Sequence, residues 1–376
     1  MGFVTKSLKF LLVLIVIVVI TDRITGYFLF TNDSPLTGIR NYLLSDNSAP
    51  RYLAQPYVNY INHPDYISLN GENQINNLGL RNPTNTKIPK PAGTLRVLFL
   101  GGSTTYGEVD NAGDAFPALI EKAISDSISL HPLAGFSSVE CLNAGMGAAT
   151  TAEMLTQYLF KYKYLDADIV VIHTGINDAF ATASLPGYVY QPDYHTVKRI
   201  MENPHPATPF LRLVAHSYIA SLFIGKTYYS AYTTGHFTNN EFLQYHSNFL
   251  WLDNGNEKKF HPATNAFYNN LTELVRSIHA SGKKILLVTE VLMPEKMNTE
   301  MKDMLADGLE PNRLFMLRVA KENNTAVCDL QKCDFPDSVF VDADGIHLTV
   351  AGEKIKAKKI EPVLWLLLQQ IGLSNR

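Results

Sequence analysis

From Leu95 onward, short runs of bulky apolar residues alternate with stretches of helical period, and this alternation constrains the fold more than any other feature of the chain. The runs Leu95–Leu100, Val139–Asn143, Ile169–His173, Lys284–Thr289 and Ala326–Leu330 have the character of strands buried on both faces. Between them the pattern predicts helices around Phe116–Ile128, Ala152–Tyr162, Asn265–Ala280 and Asn312–Glu322, and a last helix beyond Thr349. Right-handed strand-helix-strand units then imply an α/β fold, with helices on both faces of a parallel sheet of those five strands.

One stretch breaks the rhythm. Residues 179–262 separate the third strand from its partner and hold Tyr188, Tyr190, Tyr194, Tyr228, Tyr229, Tyr232 and Trp251, with an apolar run from Pro209 to Gly225. An insertion at the carboxyl edge of a sheet reads as a cap over a site, most of its aromatics forming the cap's own core. Met293–Met304 reads as a second rim loop.

The first strand stops abruptly at Gly101-Gly102-Ser103. Two glycines permit a turn that side chains would obstruct, and Ser103 falls at the strand edge where open α/β sheets bind ligands. A phosphate-binding loop is the alternative, but it would need a Lys beside its Ser or Thr, and Thr104-Thr105-Tyr106 supplies none.

The amino terminus carries a different signal. Phe10–Ile20 is wholly apolar, follows Lys6 and Lys9, and precedes Thr21-Asp22-Arg23. Eleven residues are short for a span of about 20 and lie within the range of a signal-peptide core, yet no small-residue cleavage site follows. Residues 1–30 are therefore expected to be a membrane anchor, with a cleaved signal segment as the alternative. The lysines favour a cytoplasmic amino terminus and an extracytoplasmic remainder. A cleaved segment would instead leave a secreted or periplasmic protein. Residues 31–94, rich in Asn, Pro, Tyr and Gly, read as a spacer with small strands and turns that packs on the main domain near its active edge. This segment includes Tyr57–Tyr60, Tyr66–Leu69 and the motif Asn77-Leu78-Gly79-Leu80-Arg81. Residues 95–376 are expected to form the main domain, with 179–262 as its insertion.

A formal net charge of −3 and the lack of a long basic run leave nothing to attract nucleic acid. Cys141, Cys328 and Cys333 are too few for a disulfide framework; Cys328 and Cys333 are read as buried thiols, or as a pair in an oxidising compartment. Eleven histidines, among them His195, His205, His216, His236 and His246 in the insertion, form no ligand motif, and no metal or cofactor is expected.

Three further stretches fall where strands end: Asn143-Ala-Gly-Met-Gly147-Ala148, Gly175-Ile-Asn177-Asp178, and Asp344-Gly-Ile-His347. With Ser103 they supply the parts of acyl transfer. His347 would accept the Ser103 proton and return it to the leaving group, and Asp344 would hold the imidazole in one tautomer. An oxyanion would meet the Ser103 amide, an amide of Gly147 or Ala148, and the Asn177 side chain, donors worth about 3–4 kcal/mol each. Asp342 competes weakly for the acid role, and Asp178 organises the Asn177 loop.

In order and content these blocks resemble the SGNH, or GDSL-like, hydrolase superfamily. GGST stands in place of GDS, GIND matches GxND, and DGIH matches DxxH, across roughly Leu95–Leu373. The resemblance implies a three-layer, flavodoxin-like fold and a metal-free Ser-His-Asp mechanism. The family's second-block glycine falls on Ala148, whose amide remains a donor provided the residue avoids positive φ. The expected activity is hydrolysis of an acyl ester, acetyl among them, on a glycan or lipid. An O-acyltransferase with the same triad, and a silent scaffold that keeps the fold, are the alternatives.

Overall fold

The computed structural model describes residues 2–30, 40, 52–66, 74–182, 213–223 and 265–374, apart from positions 110, 131, 132, 134, 298, 300, 301, 303, 304, 306, 307 and 343. The seven aromatics singled out between Tyr188 and Trp251, together with His195, His205, His236 and His246, lie outside the described residues. The chain divides into two compact units, residues 1–49 with 203–251, and residues 50–202 with 252–376.

In the larger unit, five parallel strands form one sheet: β3 (Thr94–Gly101), β4 (Ser138–Gly145), β5 (Ile169–His173), β6 (Lys284–Val288) and β7 (Ala326–Cys328). Their order across the sheet is β4-β3-β5-β6-β7, so the chain reverses direction of travel beside β3, the place where such sheets open a crevice. Alternate residues of the strands face opposite layers. Leu98, Leu100, Val170, Ile172 and Leu287 pack against Met154 and Tyr158 of α4 (Thr151–Phe160), Leu271 and Val275 of α6 (Ala266–Ala280), and Met316 and Val319 of α7 (Leu309–Glu322). Val97, Phe99, Val171 and Leu286 face Phe116, Ile120 and Ile124 of α3 (Phe116–Leu130) and Ile360 and Leu364 of α8 (Val350–Ser374). All eight residues of β3 are buried, which explains its unbroken apolar run. The register pairs Gly101 with both Gly145 and His173, and His173 with Val288, so the loops that follow emerge along one edge.

The same unit begins with a hairpin, β1 (Tyr52–Gln55) and β2 (Asn59–Asn62). Tyr57 and Asn59 take φ of 71° and 68°, and the run Tyr57–Tyr60 is divided, Tyr57 and Val58 lying in the hairpin turn and Asn59 and Tyr60 beginning β2. Residues 67–69 are not described. The three cysteines are free.

In the smaller unit, α1 (Gly2–Leu29) contains the apolar run, with the side chains from Phe10 to Ile20 exposed on every side. No helix among the described residues is long and apolar enough to cross a membrane, so the fold does not establish the expected membrane segment. Beyond that run, Asp22 turns inward and accepts hydrogen bonds from Ser217 Oγ (2.7 Å) and Ile219 N (2.9 Å), capping the helical residues 218–223. Gly26 lies against the Tyr218 ring, where any side chain would collide.

Candidate active site

The Ser103 turn exists because four close approaches are made with glycine. A side chain at Gly101 would meet Thr105 Oγ1 and the His173 carbonyl, one at Gly102 would meet Asn177 Nδ2, and one at Gly145 would meet the backbone of Tyr106. At Gly147 a Cβ would stand 2.5 Å from the Tyr52 hydroxyl. Without those side chains, the one-turn helix α2 (Ser103–Tyr106) settles directly on the ends of β3 and β4 and presents Ser103, partly exposed, at the sheet edge.

Ser103 Oγ lies 2.8 Å from His347 Nε2, and His347 Nδ1 lies 2.6 Å from Asp344 Oδ2. The other oxygen, Asp344 Oδ1, accepts the backbone N–H groups of Ile346 (2.6 Å) and His347 (3.0 Å). One carboxylate therefore shapes the loop and orients the ring. Burial opposes ionisation of Asp344, but the bonds and charge of His347 outweigh it and hold the carboxyl below its usual range. For His347, burial disfavours the charged ring; the bond and charge of Asp344, with the charges of Glu108 and Glu290, outweigh burial and raise its pKa above 6.5. Asp342 is exposed and pairs with Lys296 at 2.7 Å, which takes it out of the acid role.

Asn177 opens α5 (Ile176–Thr182), and its Nδ2 donates to Ala149 O at 2.9 Å while standing against Gly102, next to Ser103. Its neighbour Asp178 is buried and accepts from Thr151 N (3.1 Å) and Thr151 Oγ1 (2.6 Å), tying the Asn177 loop to the start of α4. A capping box of Thr150 and Glu153 fixes that start, a device worth about 1 kcal/mol. Between them lies the 145–148 turn. The condition placed on the Ala148 amide, that the residue avoid positive φ, is not met: its φ is 61°. The condition proves unnecessary, because φ is rotation about the N–Cα bond and does not of itself cover the N–H. The position has a left-handed geometry that glycine takes without strain, and the methyl group costs about 1–2 kcal/mol there. Nothing in that geometry blocks the amide, and Ala148 N donates to no backbone carbonyl among the described residues.

Beneath Ser103 lies a buried polar layer that motif spacing did not disclose. Glu290 accepts from Thr104 Oγ1 at 3.0 Å and its other carboxylate oxygen lies 3.0 Å from His173 Nε2, while His173 Nδ1 meets Thr105 Oγ1 at 3.0 Å. Burial opposes the charge on Glu290, but His173, Lys356 and Thr104 together hold its carboxyl below the usual range. Lys356 donates to Thr104 O at 2.7 Å and pairs with Glu353 at 2.8 Å, and Glu353 in turn accepts from Phe116 N. On the other side, the buried Arg81 donates to the carbonyls of Tyr106, Gly107 and Val109 and lies over the Tyr106 ring. Asn77–Arg81 stood out in the sequence, but only as the end of a spacer. Among the described residues no group of three His, Cys, Asp or Glu side chains is placed to hold a metal ion.

A family model described as the GDSL-like lipase/acylhydrolase family matches residues 99–355. Among solved structures, an acetylxylan esterase from Geobacillus stearothermophilus is 16% identical, covering 72% of this chain and 94% of its own, with a TM-score of 0.42. A lipase/acylhydrolase from Enterococcus faecalis is 18% identical, covering 71% and 94%, with a TM-score of 0.38. No curated protein matches the chain.

Proposed function

Because the chain belongs to the GDSL-like lipase/acylhydrolase family and is an ester hydrolase of the SGNH superfamily, we propose that Ser103, His347 and Asp344 are its catalytic triad. The observation that carries this reading is the hydrogen-bonded run from Asp344 Oδ2 through His347 to Ser103 Oγ, at 2.6 and 2.8 Å. With Nδ1–H donating to Asp344, Nε2 accepts the Ser103 proton as Oγ attacks the ester carbonyl. The oxygen of the tetrahedral intermediate becomes negative within reach of the turn amides and Asn177, and collapse expels the alcohol with the proton returned by His347. Water, activated by the same imidazole, then releases the acid from the acyl-serine.

The substrate we propose is an acyl ester, acetyl among them, on a glycan or lipid, in keeping with an acylhydrolase family. We also read α1 as attaching the chain to a membrane, with the catalytic unit outside the cytoplasm. In support, its apolar side chains are exposed all round, and the Thr21 and Thr25 hydroxyls are satisfied within the helix by Ile17 O and Thr21 O. Lacking a long apolar span, α1 would rely on Lys9 and Arg23 reaching the interface with their charged ends.

The test is labelling by a fluorophosphonate probe with hydrolysis of p-nitrophenyl esters of increasing acyl length. The parent is expected to be labelled at Ser103 and to hydrolyse the acetyl ester, and Ser103→Ala to lose both label and turnover with an unchanged melting temperature. Equal turnover in Ser103→Ala would overturn the assignment. Faster product formation with an added sugar acceptor, with acyl-sugar as product, would identify the transferase.

A further inference from the structure

The hairpin at the start of the larger unit, outside the residues matched by the family model, holds the turn on which the oxyanion reading depends. Tyr60 and Asn62 of β2 are two residues apart and so project to the same side of the strand. Both are buried: the Tyr60 hydroxyl donates to Gly147 O at 2.7 Å, and Asn62 Nδ2 donates to Gly145 O at 3.0 Å. Two donors on one strand thus grip two carbonyls of one turn. The grip is itself anchored, because Gln157 Nε2 donates to Tyr60 O at 3.1 Å and the Tyr60 ring packs edge-on to Tyr52, centroids 5.7 Å apart.

Gly147 C=O and Ala148 N–H belong to one planar, trans peptide and point in opposite directions. Fixing the carbonyl on the Tyr60 hydroxyl therefore fixes the amide on the far side of the turn, away from the hairpin. A bond to the carbonyl also polarises the peptide and makes its N–H a stronger donor. The alternative amide, Gly147 N, lies in the preceding peptide, whose carbonyl is that of Met146. That carbonyl accepts from Ala149 N within the turn and not from the hairpin.

We propose that Tyr60 is a positioning residue of the oxyanion hole, holding the Gly147–Ala148 peptide so that Ala148 N–H meets the developing oxyanion. The inference rests on the esterase reading above, and it assigns to Ala148 a role that the sequence left shared with Gly147.

Tyr60→Phe in the full-length chain tests it, since the ring and its packing remain and only the hydroxyl goes. Rates are taken per active site counted by titration with the fluorophosphonate probe, so that a poorly folding fraction does not enter them. With p-nitrophenyl acetate, kcat is expected to fall about 10-fold or more with KM within about twofold, because the bond acts on charge that exists only in the transition state. The rate of phosphonylation should fall by a similar factor, since that reaction also builds negative charge on oxygen. A structural role would instead lower the melting temperature and leave kcat per titrated site within twofold of the parent, and that result overturns the proposal while the esterase reading stands. A parent chain that neither reacts with the probe nor hydrolyses the ester overturns both.

Discussion

At the scale of single residues, the protonation of His347 sets the pH at which the site can work. In the proposed triad its neutral ring is the base, and its pKa is raised, so activity should fall with decreasing pH through a midpoint above the ordinary 6.5 of imidazole. Asp344→Asn removes the neighbouring charge that favours the protonated ring. The acid limb of kcat/KM is then expected to move to lower pH while the plateau drops by about 1,000-fold or more, through loss of the tautomer. A limb moving to higher pH would contradict this account of His347. Asn177→Ala should lower kcat by about 100-fold with little change in KM, as measured by steady-state kinetics on the acetyl ester. Ser103, Asn177, Asp344 and His347 were legible as candidates because each stands at a fixed offset from a strand end or from another block. The backbone angle of Ala148 was not legible, since φ depends on how the turn is held from outside, here by Tyr60 and Asn62 from about 85 residues upstream.

At the scale of elements, α2 is one turn long and cannot hold itself in place. Its position depends on the layer of Glu290, His173, Lys356 and Glu353 below it and on Arg81 beside it. Lys356→Met would leave the Glu353 carboxylate buried without its cation and Thr104 O without its donor. Breaking a buried pair from one side costs about 3–5 kcal/mol, so a large fall in denaturation midpoint is expected in equilibrium denaturation. An unchanged midpoint would show that the pair is dispensable. The strands and helices around this layer were readable to within a few residues, because their apolar periodicity is local. Leu309–Glu322, for example, begins three residues before the expected Asn312. Glu290 and Lys356 were not readable as partners: Lys356 stands among other lysines of α8, and only the packing of α8 against α3 takes it away from solvent.

At the scale of the whole molecule, α1 and the central part of the insertion share one unit, although nearly 200 residues separate Asp22 from Ser217. The apolar character of α1 was plain in the sequence. Its bond to the insertion was not, because a lone Asp after an apolar run reads as a boundary marker until its partners are known. If α1 attaches the chain to a membrane, the full-length protein should remain in the membrane fraction after a carbonate wash; release by carbonate would reject attachment. The division into units also has a topological consequence. The backbone passes between them three times, after Ala49, after Glu202 and after Trp251, so the two units are joined by three covalent connections. A single protease cut at any one of them should separate two bands on a denaturing gel yet leave the pieces sedimenting together, and the esterase would stay moored to the smaller unit after damage that would set a singly tethered enzyme adrift.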